Sequence, residues 1–165
     1  MFNKILVALD TKESNDFLFQ KALALAKAIT SDLIVLGVST LDANGTLPIL
    51  SPPESSQRQY EGFKAKELGI LRRYQDQAIA AGIRTKLHQE LGDHPGKTIC
   101  EIAKAGNTDL VIVGSHGYRG IGEVLMGSVS NYVMHRAPCS VLIVRNPGTT
   151  PSDGNEELGL SQSVS

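Results

Sequence analysis

The sequence predicts a single α/β domain built on a doubly wound, five-stranded parallel sheet, and three observations point to this class. Short apolar, β-branched runs alternate with longer stretches of helical periodicity, which is the pattern of successive βαβ units. The length of 165 residues fits one compact domain. A hydrophobic fraction of 41% beside 20% charged residues is enough for a core and for solubility, which excludes global disorder.

Five strands are expected. Four of the runs are short and almost continuously apolar, as strands covered by helices on both faces are, whereas the third mixes polar and apolar residues and should lie at a sheet edge. The predicted strands span residues 4–9, 33–39, 84–90, 110–113 and 141–144.

Four helices are expected between the strands, at residues 15–30, 56–81, 95–105 and 127–136. Ser14 can cap the first helix. An apolar stripe that should pack on the sheet follows at spacings of three and four, namely Leu18, Ala22, Leu25 and Ile29.

The other helices have recognisable ends. The second should stop at Gly82, where a left-handed cap favours glycine. The third begins with Pro95, whose fixed φ suits a first turn, and ends at Gly106. The last cannot continue past Ala137, since Pro138 follows. Apolar residues of the second helix are Tyr60, Phe63, Leu68, Leu71 and Ile79.

Composition excludes several classes of function. A formal charge of −1 gives no overall field for nucleic acid or an anionic membrane. The longest apolar run near the start covers residues 5–9, too short for a membrane helix or a signal peptide. Two cysteines make no disulfide framework and fit a reducing compartment. We therefore expect a soluble, cytoplasmic protein without nucleic-acid or membrane partners.

Two segments fall outside the alternating pattern. Residues 41–55 form a long proline-containing connection, whose role the sequence does not indicate. Residues 146–165 hold three acids, no lysine or arginine, and many Ser, Gly and Pro, which predicts a disordered acidic tail. The ordered domain is thus expected to span residues 1–145.

A glycine-rich motif follows the fourth predicted strand. Gly114 and Gly117 are followed, after nine residues, by Gly127 and Ser128, which open the last helix. Glycines let a backbone approach an anion closely, and a helix N-terminus favours phosphate, with the Ser128 and Ser130 hydroxyls as further donors. The motif predicts a polyphosphate site, although both glycine pairs could also serve only as turns.

Other phosphate and catalytic motifs fit poorly. The stretch from Gly92 to Thr98 ends in GKT but has three residues between its glycines where a P-loop needs four, and Pro95 lacks an N–H. No G-x-S-x-G elbow is present, so Ser115 is not indicated as a nucleophile. The histidines and cysteines have no paired metal-ligand spacing.

GSHG, a GS nine residues later, a short helix and APCSVLIV together resemble the nucleotide-binding signature of the universal stress protein family, in its ATP-binding branch. KILVALD at the start, LIVLGV as second strand, Gly92 with Pro95, and TDLVIVGSHG extend the resemblance over residues 1–145. It implies a Rossmann-like adenine-nucleotide fold, for which we expect the strand order 3-2-1-4-5.

The resemblance assigns site residues position by position. Asp10 takes the place of the family aspartate near the nucleotide, where it could accept from ribose or coordinate Mg²⁺ or Mn²⁺; it could also cap the turn before the first helix. The family often has Gly and Ser after this aspartate, whereas Thr11 and Lys12 stand here. His116 and Arg119 could touch the γ-phosphate or face solvent. The expected nucleotide contacts are Ala8, Asp10, Val38, Gly114, His116, Gly117, Arg119, Gly127, Ser128, Val129 and Ser130.

The function expected from the residues and the resemblance is ATP binding by a sensor or regulator. No residue has the surroundings of a general base, so no catalytic residue is assigned and any hydrolysis should be slow. An adenylating or slow ATP-hydrolysing enzyme of the related fold is the alternative. A pure interaction module without nucleotide is less compatible with the intact loop.

Assembly is expected through the last strand. The run from Val141 to Val144 is apolar and lies at the sheet edge in the order 3-2-1-4-5, where bare backbone groups invite aggregation. An identical strand of a second subunit, related by a two-fold axis, would pair with it. The family resemblance implies the same homodimer.

Overall fold

The computed structural model of the protein describes residues 1–11, 14–40, 53–115 and 126–145, with the side chains of residues 53–57 and 59 left aside. Strands and helices alternate throughout these ranges. The strands are β1 Lys4–Leu9, β2 Asp32–Ser39, β3 Thr85–Leu91, β4 Leu110–Gly114 and β5 Ser140–Val144. The helices are α1 Asp16–Ile29, α2 Pro53–Ala80, α3 Pro95–Ala105 and α4 Ser128–Arg136.

The five strands form one parallel sheet in the order β3-β2-β1-β4-β5, as predicted. In the middle of the sheet, Val7 of β1 lies beside Val35 of β2 on one side and Ile112 of β4 on the other. The polar strand β3 lies at one edge, as expected. The apolar strand β5 lies at the other edge and is only partly buried, because it pairs with β4 alone.

The sheet is covered by helices on both faces, which is the doubly wound arrangement. On one face, Ile5 and Val7 of β1 pack with Phe19 of α1 and Leu71 of α2. On the other face, Leu6, which lies between Ile5 and Val7 in β1, packs in a second apolar cluster with residues of α3 and α4. Alternate residues of β1 therefore serve the two halves of the core.

Two helix starts differ from the sequence prediction. Ser14 is not the cap of α1, because Asn15 occupies the N-cap position and the Ser14 hydroxyl instead lies 3.2 Å from the Asp16 carboxylate. Helix α2 begins at Pro53, so the last residues of the predicted 41–55 connection are helical. Proline is tolerated in a first turn because the N–H it lacks has no intrahelical partner there.

The buried stripe of α2 also differs from the expected one. Leu71 is buried as predicted, but Ile79 is 53% exposed. The buried positions of α2 are 67, 71, 74 and 78, which are spaced by four, three and four residues. Tyr74 and Ala78 therefore belong to the buried stripe. The helix ends as predicted, with Gly82 just beyond it at φ +82°.

Several expectations lie outside the described residues, including most of the long connection and the acidic tail at 146–165. Among the helices that the structure describes, none combines the length and the hydropathy needed to cross a membrane.

Candidate functional site

A recess lies at the carboxyl ends of the central strands. The helix that follows β1 covers one face of the sheet, and α4, which follows β4, covers the other. Neighbouring strands whose connections leave in opposite directions open a crevice between them, and this is where open α/β sheets bind ligands. The recess has a volume of about 260 Å³.

Apolar side chains form most of one wall of the recess. Ala8 and Val38 come from the ends of β1 and β2, Pro95 and Ile99 come from the first turns of α3, and Val113 comes from β4. Ile99 is buried in the core cluster between the sheet and α3. Such a wall suits a flat, weakly polar group, because burying it costs little and displaces water from apolar surface.

Asp10 is held at the mouth of the recess by a reciprocal pair of hydrogen bonds. Its backbone N–H donates to Oδ1 of Asn15 at 3.0 Å, and Nδ2 of Asn15 donates to the Asp10 carbonyl at 2.5 Å. Asn15 is only 4% exposed. These two bonds close the turn between β1 and α1 and fix the backbone from which the Asp10 carboxylate extends.

The N-terminus of α4 also lines the recess. Gly127 is the N-cap residue, and Ser128 and Val129 begin the helix beside it. Backbone N–H groups of a first turn have no intrahelical acceptor, so they and the helix dipole favour an anion at this end. The hydroxyl of Ser130, which is 2% exposed, donates to the Gly127 carbonyl at 2.9 Å. Its proton therefore stabilises the turn.

Most of the residues assigned from the sequence lie together. Those within the described ranges all line the recess, namely Ala8, Asp10, Val38, Gly114, Gly127, Ser128, Val129 and Ser130. His116, Gly117 and Arg119 lie outside the described residues. Positions as far apart as Ala8 and Ser130 are brought together by the parallel arrangement of the strands.

Part of the recess lining was not predicted from the sequence. Asn15 and Thr40 contribute polar side chains, and Leu18, Pro95 and Ile99 contribute apolar ones. Thr40 directly follows β2, so the rule that ligands bind after strand ends was a usable signal for it. No local signal marks Ile99, because its place in the wall depends on how α3 packs over the sheet.

Metal-binding side chains are sparse around the recess. In the described ranges, no three His, Cys, Asp or Glu side chains are grouped so that they could hold an ion. Asp10 would therefore need other ligands, such as phosphate oxygens and water, to bind Mg²⁺ or Mn²⁺. Cys100 and Cys139 are not part of the described lining, and burial is the largest of the effects that raise the pKa of each thiol.

Comparison with known proteins agrees with this architecture. A universal stress protein of Synechocystis sp. is 32% identical over 157 residues, which is 88% of this chain and 99% of the relative. A universal stress protein solved with cAMP has a TM-score of 0.63 at 26% identity, covering 87% of this chain and 97% of its own. One from Arabidopsis thaliana solved with AMP has a TM-score of 0.59 at 25% identity, covering 92% and 97%.

The family model of the universal stress proteins matches residues 1–145. This range contains the nine strands and helices that the structure describes and the whole described lining of the recess. The chain therefore belongs to the universal stress protein family.

Proposed function

We propose that this protein binds ATP, together with Mg²⁺ or Mn²⁺, in the recess at the carboxyl ends of β1 and β4, and acts as a cytoplasmic nucleotide-dependent sensor or regulator of a stress response. The observation that carries the proposal is the presence of an apolar wall and a glycine-led helix N-terminus in the lining of one crevice. An adenine nucleotide has the matching pair of ends, a flat base and an anionic phosphate chain.

The two ends of the nucleotide meet different chemistry in the proposed complex. The adenine lies against Ala8 and the backbone of Val38, where apolar neighbours exclude water. The phosphates lie at Gly127 and Ser128, where backbone N–H groups donate to them. Asp10 lies between, where its carboxylate accepts from ribose hydroxyls or binds the divalent ion. The expected nucleotide contacts at Gly114, His116, Gly117, Arg119, Val129 and Ser130 remain part of the proposal, although the hydroxyl proton of Ser130 is donated to the Gly127 carbonyl and not to a phosphate.

Relatives solved with AMP and with cAMP support an adenine nucleotide as the ligand class. We propose ATP because Gly114 and Gly127, at the two ends of the glycine-rich motif, both line the recess and could both approach a polyphosphate. The side chains that line the described part of the recess do not include a nucleophile paired with a general base. We therefore propose that the protein regulates by binding the nucleotide and not by turning it over.

Titration calorimetry of the purified protein with ATP and Mg²⁺ tests the proposal. We expect one nucleotide per chain and a rise in melting temperature, since a ligand that binds only the native state stabilises it. AMP, cAMP and GTP in parallel titrations test the choice of ligand. The absence of both heat and a thermal shift at about 1 mM ATP would contradict the proposal. A dissociation constant of about 1 mM corresponds to a binding free energy of about −4 kcal/mol.

We further propose that the chain forms a homodimer through β5. Leu142 in the middle of this edge strand is 39% exposed, which is unusual for a large apolar residue in a parallel sheet. Pairing with the same strand of a second copy would cover it and satisfy both edges. Light scattering should report a dimer for the natural sequence and a monomer or aggregate for Leu142→Lys. A monodisperse natural monomer at micromolar concentration would contradict this assembly.

A further inference from the structure

A carboxyl group interrupts the buried stripe of α2. Glu67 is only 3% exposed, and it precedes Leu71 by one helical turn in the row that continues with Tyr74 and Ala78. An apolar residue would be expected at this position. A buried carboxyl group is costly unless hydrogen bonds replace its hydration, so its partners are informative.

The partners of Glu67 come from the carboxyl ends of three strands. The hydroxyl of Thr11, just after β1, donates to Oε1, and the hydroxyl of Ser39, the last residue of β2, donates to Oε2. Nε2 of Gln89 in β3 donates to Oε2 at 3.3 Å and to the Lys64 carbonyl at 3.1 Å. One side chain thus ties the helix to three neighbouring strand ends.

The tied residues stand directly behind the lining of the recess. Thr11 follows Asp10, and Ser39 lies between Val38 and Thr40, which both line the recess. Because side chains alternate along β2, Ser39 points toward α2 while Val38 points toward the recess. The residues that bond to Glu67 are therefore direct sequence neighbours of residues that line the recess.

Helix α2 lies close enough to β2 to make this tie stiff. A Cβ atom built on Gly37 would lie 2.6 Å from Cδ1 of Leu71, so the absence of a side chain at Gly37 lets the helix rest on the strand. Leu71 and Glu67 occupy successive turns of α2, and Gly37 and Ser39 are the matching alternate positions of β2.

We propose that Glu67 is a positioning residue for the nucleotide, an inference that rests on the proposed function. It holds Thr11 and Ser39 so that Asp10 and Val38 keep the spacing that the nucleotide requires. Asn15 holds Asp10 from the side of α1, so the β1 end is fixed from two helices. Helix α2 is thereby mechanically coupled to the ligand wall.

The test compares Glu67→Ala and Glu67→Gln with Asp76→Ala, an exposed acid on the same helix. Affinity for ATP with Mg²⁺ is measured by calorimetry well below the melting temperature, so that loss of folded protein does not contribute. We expect Glu67→Ala to bind roughly ten-fold more weakly, Glu67→Gln to lose less because its amide oxygen still accepts one hydroxyl, and Asp76→Ala to match the natural protein.

Amide hydrogen exchange without nucleotide gives a second, independent comparison. The amides of Asp10 and Gly92, bonded to Asn15 and to the Ser39 carbonyl, should exchange faster in the Glu67 variants. The amides of Asp32 and Asp109, bonded at the opposite end of the sheet, should not change.

Weaker binding together with faster exchange at Asp10 and Gly92 supports the proposal. Unchanged affinity, or weaker binding without faster exchange at these amides, overturns it. Glu67→Gln, which preserves the shape of the side chain, decides the question if the alanine variant does not fold. If the natural protein binds no nucleotide, the proposed function fails, and hydrogen exchange alone decides whether Glu67 holds the strand ends.

Discussion

The two ends of the sheet use hydrogen bonds for different purposes. At the amino ends of the strands, the Asp109 carboxylate accepts the backbone N–H groups of Asn3 at 2.8 Å and Lys4 at 2.9 Å. The Lys4 ammonium donates to the Gly106 carbonyl at 2.6 Å. These bonds join β1 directly to the loop before β4, so this end is closed by its own polar groups.

At the carboxyl ends, comparable bonds hold the backbone around a space. Asn15 fixes Asp10, and Glu67 fixes Thr11 and Ser39, while the recess stays open between β1, β4 and the start of α4. The difference indicates that substitutions at the amino end should alter stability alone, whereas substitutions at the carboxyl end should alter affinity for the nucleotide.

The largest effect is expected for Gly127→Val. A β-branched side chain at the N-cap of α4 would occupy the approach of the phosphates, so ATP binding should be undetectable up to about 1 mM by calorimetry. The variant should still fold, because the backbone at Gly127, with φ −56° and ψ 151°, is open to any residue.

Gly69→Val is the matched control for that substitution. A Cβ atom at Gly69 would meet nothing within 4 Å, and the position is exposed on α2 and is not part of the recess lining. This control should bind ATP like the natural protein. Normal binding by a folded Gly127→Val variant would remove the phosphate end of the proposed site.

At the amino end, Asp109→Ala should reduce the free energy of unfolding by about 1–3 kcal/mol, since two backbone N–H groups lose their acceptor. Denaturant unfolding measures this change, and the affinity of the folded variant for ATP should stay unaltered. Asp32→Ala, which breaks the exposed 2.8 Å ion pair with Arg84, should cost less than about 1 kcal/mol. A weakened affinity in Asp109→Ala would show that the two ends are not independent.

Alkaline pH should destabilise the folded protein, because three groups outside the recess lose their protons. Burial and then the hydrogen bond to Asp16 raise the pKa of Tyr74, and burial raises the pKa of Cys100 and of Cys139. A raised pKa in the folded state means that folding favours the protonated form. This contribution is complete below the unfolded pKa values, 9.0 for cysteine and 10.0 for tyrosine, and is lost as pH rises through the folded ones.

Melting temperatures under reducing conditions measure this loss. They should fall as pH rises above about 9, and Tyr74→Phe should reduce the fall in the upper part of the range. A melting temperature that stays constant through the titration of these groups would contradict the assigned environments.

The smallest effect is expected for Gly62→Ala and Gly69→Ala in α2. Added Cβ atoms at both positions would meet nothing within 4 Å, and alanine loses less backbone entropy on folding than glycine does. Each change should raise the free energy of unfolding by about 0.5–1 kcal/mol without altering ATP affinity. Gly37→Ala is the opposing control and should destabilise, because its Cβ would press on Leu71.

Much of this fold could be predicted from local sequence. The apolar runs marked β1, β2, β4 and β5, and the mixed polarity of β3 marked an edge strand. Gly82 marked the end of α2, because its positive φ is a local requirement that glycine meets. The glycine-rich motif that starts at the end of β4 indicated the recess, since Gly114 and Gly127 both line it.

The interactions that the sequence did not indicate are those between distant segments. Asn15 rather than Ser14 takes the cap position and bonds the backbone of Asp10, a choice set by the path of the chain after β1. The burial of Glu67 depends on donors 56 and 28 residues away, at Thr11 and Ser39. Helical periodicity alone places an apolar residue there.

Amide chemical-shift mapping with ATP and Mg²⁺ tests the central claim most directly, because it locates binding residue by residue on both ends of the sheet. The account predicts shifts at Asp10, Gly114 and Gly127 and none at Lys4 or Asp109. A spectrum unchanged at about 1 mM ATP, or shifts centred on the amino ends of the strands, would contradict it.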